Sequence, residues 1–116
     1  MNITIFHNAR CSNSRGALAL IQDAGFTPTV IDYLQSPPSV DELKTLVKAC
    51  GLPVRELMRS KEAIYSELNL GDAALSEDAL IAAIHAHPVL LNRPIVVSPK
   101  GTRLCRPPEL VRELLP

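Results

Sequence analysis

Cys11 is the residue of this chain best placed to do chemistry. It stands in the run His7-Asn8-Ala9-Arg10-Cys11-Ser12-Asn13-Ser14-Arg15, between an alternating β-branched stretch that reads as a strand (about residues 2 to 6) and Ala17-Leu18-Ala19-Leu20-Ile21, which reads as a helix. At such a junction the free amides and positive end of the helix favour a thiolate. Arg10, Arg15 and a protonated His7 would add to that effect. A cysteine can also serve as a small apolar plug in a loop, but the polar, basic company of Cys11 favours an attackable thiol of low pKa.

Cys50 and Cys105 are the other two cysteines, and the three form neither a CxxC pair nor a repeated metal spacing. The odd count argues against a disulfide framework and for a reducing compartment, hence the cytoplasm. Cys50 falls on an apolar helical stripe and reads as inert core; Cys105 should face the side of its strand opposite Arg106 and be core as well. His85 and His87, two apart at a helix end, point to different faces with no carboxylate or cysteine cluster to complete a metal site. Twelve basic and twelve acidic side chains balance in 116 residues, which gives no support to non-specific nucleic-acid binding. Tyr33 and Tyr65 read as packing or rim residues, because four aromatics and no tryptophan offer no base-stacking platform. No window is apolar enough to be an anchor or a signal peptide. The length suits one domain, residues 1–116.

The elements that must hold Cys11 follow in order. Ala17, Leu20, Ile21 and Ala24 mark the sheet-facing side of the first helix, Gly25 stops it, and Pro28 to Tyr33 is a second strand. Links this short imply a right-handed crossover between parallel strands. After Ser36-Pro37-Pro38, Ser39-Val40-Asp41-Glu42 is a capping box opening a helix with Leu43, Leu46, Val47 and Cys50 on one face. Helical turns over 54–59 and 62–68 follow, and Ser76 caps a helix from about Glu77 to His85. The stretch 39–87 is thus a strandless helical insertion. Strands Pro94 to Val97 and Thr102 to Cys105 flank the turn Ser98-Pro99-Lys100-Gly101, and Pro107-Pro108 opens a last helix with Leu110, Val111, Leu114 and Leu115 on its apolar side.

The hairpin register has a consequence for charge. Pairing Ser98 with Gly101 carries on to Arg93 opposite Arg106, two like charges with Cβ atoms about 5 Å apart, an arrangement that destabilises a sheet unless an anion sits between them. The alternative is a pair of solvated strand-end arginines. Both precede proline, which confines their backbones to extended conformations. Arginine suits a tetrahedral oxyanion, since its planar fork donates two hydrogen bonds and keeps its charge. Removing either arginine is expected to weaken anion binding and leave the thiol largely unaffected.

The chain resembles the glutaredoxin-coupled, glutathione-dependent arsenate reductase family across nearly its whole length. The resemblance rests on Ile5-Phe6-His7-Asn8 through Cys11 and Ser14-Arg15, on Tyr33-Leu34 with Pro37-Pro38 and Asp41-Glu42-Leu43, and on Val54 through Arg59. It continues through His87-Pro88, Asn92 to Val97, and Gly101 to Pro107. It implies an α/β, thioredoxin-like three-layer domain with a four-stranded mixed sheet and the helical insertion between β-α-β and β-β-α halves, an order the predicted elements also follow. It further implies a cis Arg93-Pro94 bond. Cys11 becomes the nucleophile, His7 the group lowering its pKa, Ser14 and Arg15 supports of the thiolate, and Arg59, Arg93 and Arg106 the oxyanion clamp. Ser12-Asn13 depart from the glycine and threonine of the best-known members, and the chain stops at Pro116 where well-studied members carry a longer tail.

The implied reaction is attack of Cys11 on arsenate, then glutathione on the adduct, then removal of the glutathione by glutaredoxin with loss of arsenite. No bound cofactor is implied; glutathione enters as co-substrate. Ser14 occupies the fourth place of a would-be CxxC, so the electrons must come from an external thiol. Two other readings stand beside this one. The first is a glutathione-linked thiol oxidoreductase whose arginines hold another anion. The second is a redox-responsive regulator binding RNA polymerase, which the missing local disulfide partner disfavours.

Overall fold

The computed structural model describes residues 2–115. Two compact units divide them. The first joins residues up to Ser36 to those from Arg93 onward; the second is Pro37–Asn92.

The first unit carries the sheet. Strands β1 (Thr4–His7), β2 (Thr29–Asp32), β3 (Ile95–Ser98) and β4 (Gly101–Leu104) lie in the order β2-β1-β3-β4. β1 pairs in parallel with β2 and antiparallel with β3, and β3 with β4, so the sheet is mixed, as expected. The hairpin register runs Ser98↔Gly101, Val97↔Thr102, Val96↔Arg103 and Ile95↔Leu104, and the Cys105 amide donates to the Pro94 carbonyl at 2.9 Å one step further out. Arg93-Pro94 is cis, and so is Arg106-Pro107, which the resemblance did not imply.

One face of this sheet buries Ile3, Ile5, Val96 and Cys105 against Ala17 and Ile21 of helix α1 (Ser12–Asp23) and Val111 and Leu114 of the C-terminal helix. Period-2 alternation puts the strand residues there, and period 3.6 supplies the helical ones. Ala24 is exposed; the buried stripe of α1 is Ser14-Ala17-Ile21. The C-terminal helix, Pro108–Leu114, is a 3₁₀ helix. A Cβ at Gly16 would stand 3.1 Å from Pro108, so the side-chain-free residue in α1 permits the close approach.

The second unit is helical. Helix α2 (Val40–Cys50) opens with the reciprocal capping box of Ser39 and Glu42 and ends at Gly51, φ +68°; caps of this kind contribute about 1 kcal/mol. A 3₁₀ turn (Val54–Leu57), helix α3 (Ala63–Glu67), helix α4 (Glu77–Ala86, capped by Ser76) and a 3₁₀ turn (Pro88–Leu90) follow. The expected absence of strand holds except for a single antiparallel bridge, Met58↔Leu91. Cys50 is half-buried, not core as its stripe suggested, because it sits in the last turn of α2, beyond Leu43 and Leu46. His85, exposed, hydrogen-bonds the Pro38 carbonyl at 2.9 Å. Among the described residues, no helix is long and apolar enough to cross a membrane.

Candidate active site

Asn8, the first residue after β1, ties the loop together. Its carbonyl accepts the Cys11 amide at 3.0 Å and its Oδ1 accepts the Arg10 amide at 2.9 Å. Its own amide donates to the Ser14 hydroxyl at 3.0 Å. Because Oδ1 faces an N–H, Nδ2 must point the other way, where it donates to the hydroxyl of fully buried Tyr33 at 3.3 Å. Asn8 and Tyr33 were not among the residues singled out for the site. The signal for Asn8 was its type: an asparagine that closes a strand bonds readily to the amide two residues on.

Cys11 is the N-cap of α1, with extended backbone (φ −93°, ψ 123°). Its own amide is spent on Asn8, and the Arg15 amide makes the first helical bond back to the Cys11 carbonyl at 3.0 Å. The sulfur makes no cap hydrogen bond of ordinary geometry. Burial alone pushes the thiol pKa up; the amides of Ser14 and Asn13 and the Arg93 guanidinium outweigh it, and the net effect holds the pKa below the usual thiol range.

His7 acts differently from the cation expected beside the thiol. Burial lowers its pKa, against an opposing pull from Asp32 and with a further push from Arg15, so at pH 7 the imidazole is neutral. Its Nδ1 lies 2.6 Å from the Ser14 hydroxyl. That hydroxyl accepts from Asn8 and has both a proton and a second lone pair for Nδ1, so the His7 tautomer sets which of the two donates. His7 thus reaches Cys11 through Ser14, which it anchors. Arg15 is exposed and donates to the Ala9 carbonyl at 3.0 Å; it braces the loop.

The two hairpin arginines are neighbours with different duties. Arg106 donates to the Arg93 carbonyl at 3.2 Å. Arg93 reaches Cys11, while its Nε and Nη1 are buried without a hydrogen-bond partner. Arg93 is among the groups that lower the thiol pKa, so its removal bears on the thiol as well as on an anion. Two buried, unpaired guanidinium donors are costly, and an anion with several oxygens is a ligand that would accept from them. Arg59 belongs to the helical unit. Its amide donates to the Leu90 carbonyl at 2.8 Å and its Nε is buried without a partner.

A mixed sheet in the order β2-β1-β3-β4 with a thiolate-favouring cysteine heading the first helix and a cis proline entering β3 defines a thioredoxin-like protein. The chain belongs to the ArsC family, whose model matches residues 6–114. It is 50% identical to the arsenate reductase of Rhizobium meliloti over 116 residues, all of this chain and 83% of that protein. To a protein of Escherichia coli K12 named "Uncharacterized protein YfgD" it is 47% identical, over 97% of this chain and 96% of that one. The solved structure of an arsenate reductase from Vibrio cholerae superposes with a TM-score of 0.96 at 53% identity, covering 99% of this chain and 98% of that one.

Proposed function

We propose that this protein reduces arsenate to arsenite with glutathione and glutaredoxin. The carrying observation is an arginine with Nε and Nη1 buried and unpaired, whose guanidinium also lowers the Cys11 pKa; this supports a thiolate beside an oxyanion subsite. The Cys11 thiolate attacks arsenic(V), an oxygen leaves as water, and an arsenic–sulfur bond forms. Arg93, with Arg106, holds the remaining oxygens, with His7, Ser14 and Arg15 keeping the loop in place. Glutathione then displaces a second oxygen. A glutaredoxin thiolate attacks the glutathione sulfur, and the pair of the breaking arsenic–sulfur bond stays on arsenic, now arsenic(III). The two electrons come from the two external thiols, which end as a mixed disulfide; water then frees arsenite from Cys11. These partners belong to the cytoplasm, the reducing compartment that suits an odd count of three cysteines.

The test is arsenite formation with glutathione and glutaredoxin, wild type against Cys11→Ser. Turnover in the wild type, lost in the variant, supports the reading. No turnover in the wild type moves the assignment to a glutathione-linked oxidoreductase acting on another anion. The near-equal identity to an E. coli protein of matching length whose name carries no substrate keeps that second reading in view.

A further inference from the structure

We propose that Asn8 and Tyr33 form a positioning pair that sets the reactivity of Cys11 by fixing the turn from Asn8 to Cys11. The inference deepens the reading of Cys11 as an activated thiol and rests on it.

A helix start offers several free amides, and which of them face the N-cap side chain depends on how the preceding residues turn. Here the turn is tied at both ends by one residue. The Asn8 carbonyl takes the Cys11 amide, its side-chain oxygen takes the Arg10 amide, and its amide holds the Ser14 hydroxyl. The Cys11 amide is thereby removed from the pool, and those of Asn13 and Ser14 are left for the sulfur. An asparagine side chain free to rotate could not enforce this. Nδ2 is tethered to the Tyr33 hydroxyl, and Tyr33 is fully buried just beyond β2, the strand paired with β1. The rigid sheet thus orients the amide, the amide shapes the turn, and the turn aims the helix start at the thiol. Neither residue touches the sulfur by this route; both act through backbone.

The experiment measures the pH dependence of iodoacetamide alkylation of Cys11, with thermal unfolding in parallel, in a Cys50→Ser background; Cys105 is fully buried. Asn8→Ala should raise the midpoint by about half a pH unit or more. Tyr33→Phe, which keeps the ring, should raise it less, and the double variant should match Asn8→Ala alone. Unchanged midpoints in folded variants, even with lower melting temperatures, overturn the pair and leave a structural role only. Shifts that simply add overturn it too, since the residues would then act separately. Should Asn8→Ala not fold, Tyr33→Phe decides alone. A wild-type midpoint near the ordinary thiol value, about 8.5, instead sinks the activated-thiol reading itself, so the two failures are distinguishable.

Discussion

Arg55 of the helical unit and Arg93 of the sheet unit show two uses of one side chain. Arg55 spends its guanidinium within its own unit: Nη1 donates to the Tyr65 hydroxyl at 3.2 Å and the Leu70 carbonyl at 2.6 Å, and Nη2 to the Asp72 carbonyl at 2.6 Å. It closes the chain after α3, where Asn69 takes a positive φ of 53°. Arg93 instead keeps Nε and Nη1 buried and unpaired beside a thiol. The contrast extends to whole units. The sheet unit carries seven arginines and lysines against four carboxylates, the helical unit five against eight, so a neutral chain conceals a cationic half that holds the thiol. An arginine whose donors are consumed stabilises a fold; one left with dry, unsatisfied donors is a candidate for holding a ligand.

Four substitutions break or sharpen that contrast. Cys11→Ser should cut arsenite formation by at least about 10³-fold with an unfolding midpoint in urea close to wild type near neutral pH; retained turnover would place the chemistry elsewhere. Arg55→Ala should cost about 2 kcal/mol in the same urea titration while the Cys11 alkylation midpoint stays put. If that midpoint moves, the staple and the site are not separate uses. Arg93→Ala should weaken sulfate or arsenate binding by about tenfold, a charge-assisted contact of about 1.4 kcal/mol, and also raise the alkylation midpoint. Arg106→Ala should weaken the anion and leave the thiol, since its guanidinium is bound to a carbonyl. Equal effects of the two on the thiol would refute their division of labour.

The smallest effects are in pH. The Cys11 pKa is lowered in the fold, so between its native value and the ordinary thiol value the unfolded chain binds more protons and stability rises with pH; the increment is complete above the ordinary value and lost as pH falls through the native one. Cys11→Ser should flatten that rise in urea titrations across the window. His7 is also lowered. Below about 6.5 the unfolded imidazole takes a proton that the native one refuses, and stability declines as pH falls toward the native value. His7→Gln should remove that acid-side slope, and an unchanged slope would mean that the fold does not lower the His7 pKa.

Much of this was legible in the residues. The β1-α1-β2 order, the capping box at Ser39, the hairpin register and the cysteine at a helix start follow from periodicity, capping and turn chemistry, which act over a few neighbouring residues. Cys50 misled because a helical stripe reports a face and not how far the neighbouring elements extend along it. Sequence reports His7 as a titratable group and not its burial, which in the fold lowers its pKa. Residue types and spacing by themselves determined where the strands and helices lie, that Cys11 heads α1, and that Ser14 denies it a local partner. Only the tertiary structure decided that Arg93 reaches the thiol while Arg106 holds a backbone carbonyl, and that Tyr33, distant in sequence, orients Asn8. Those choices depend on which donors remain once every closer acceptor has been taken, and that is settled only when the strands are side by side.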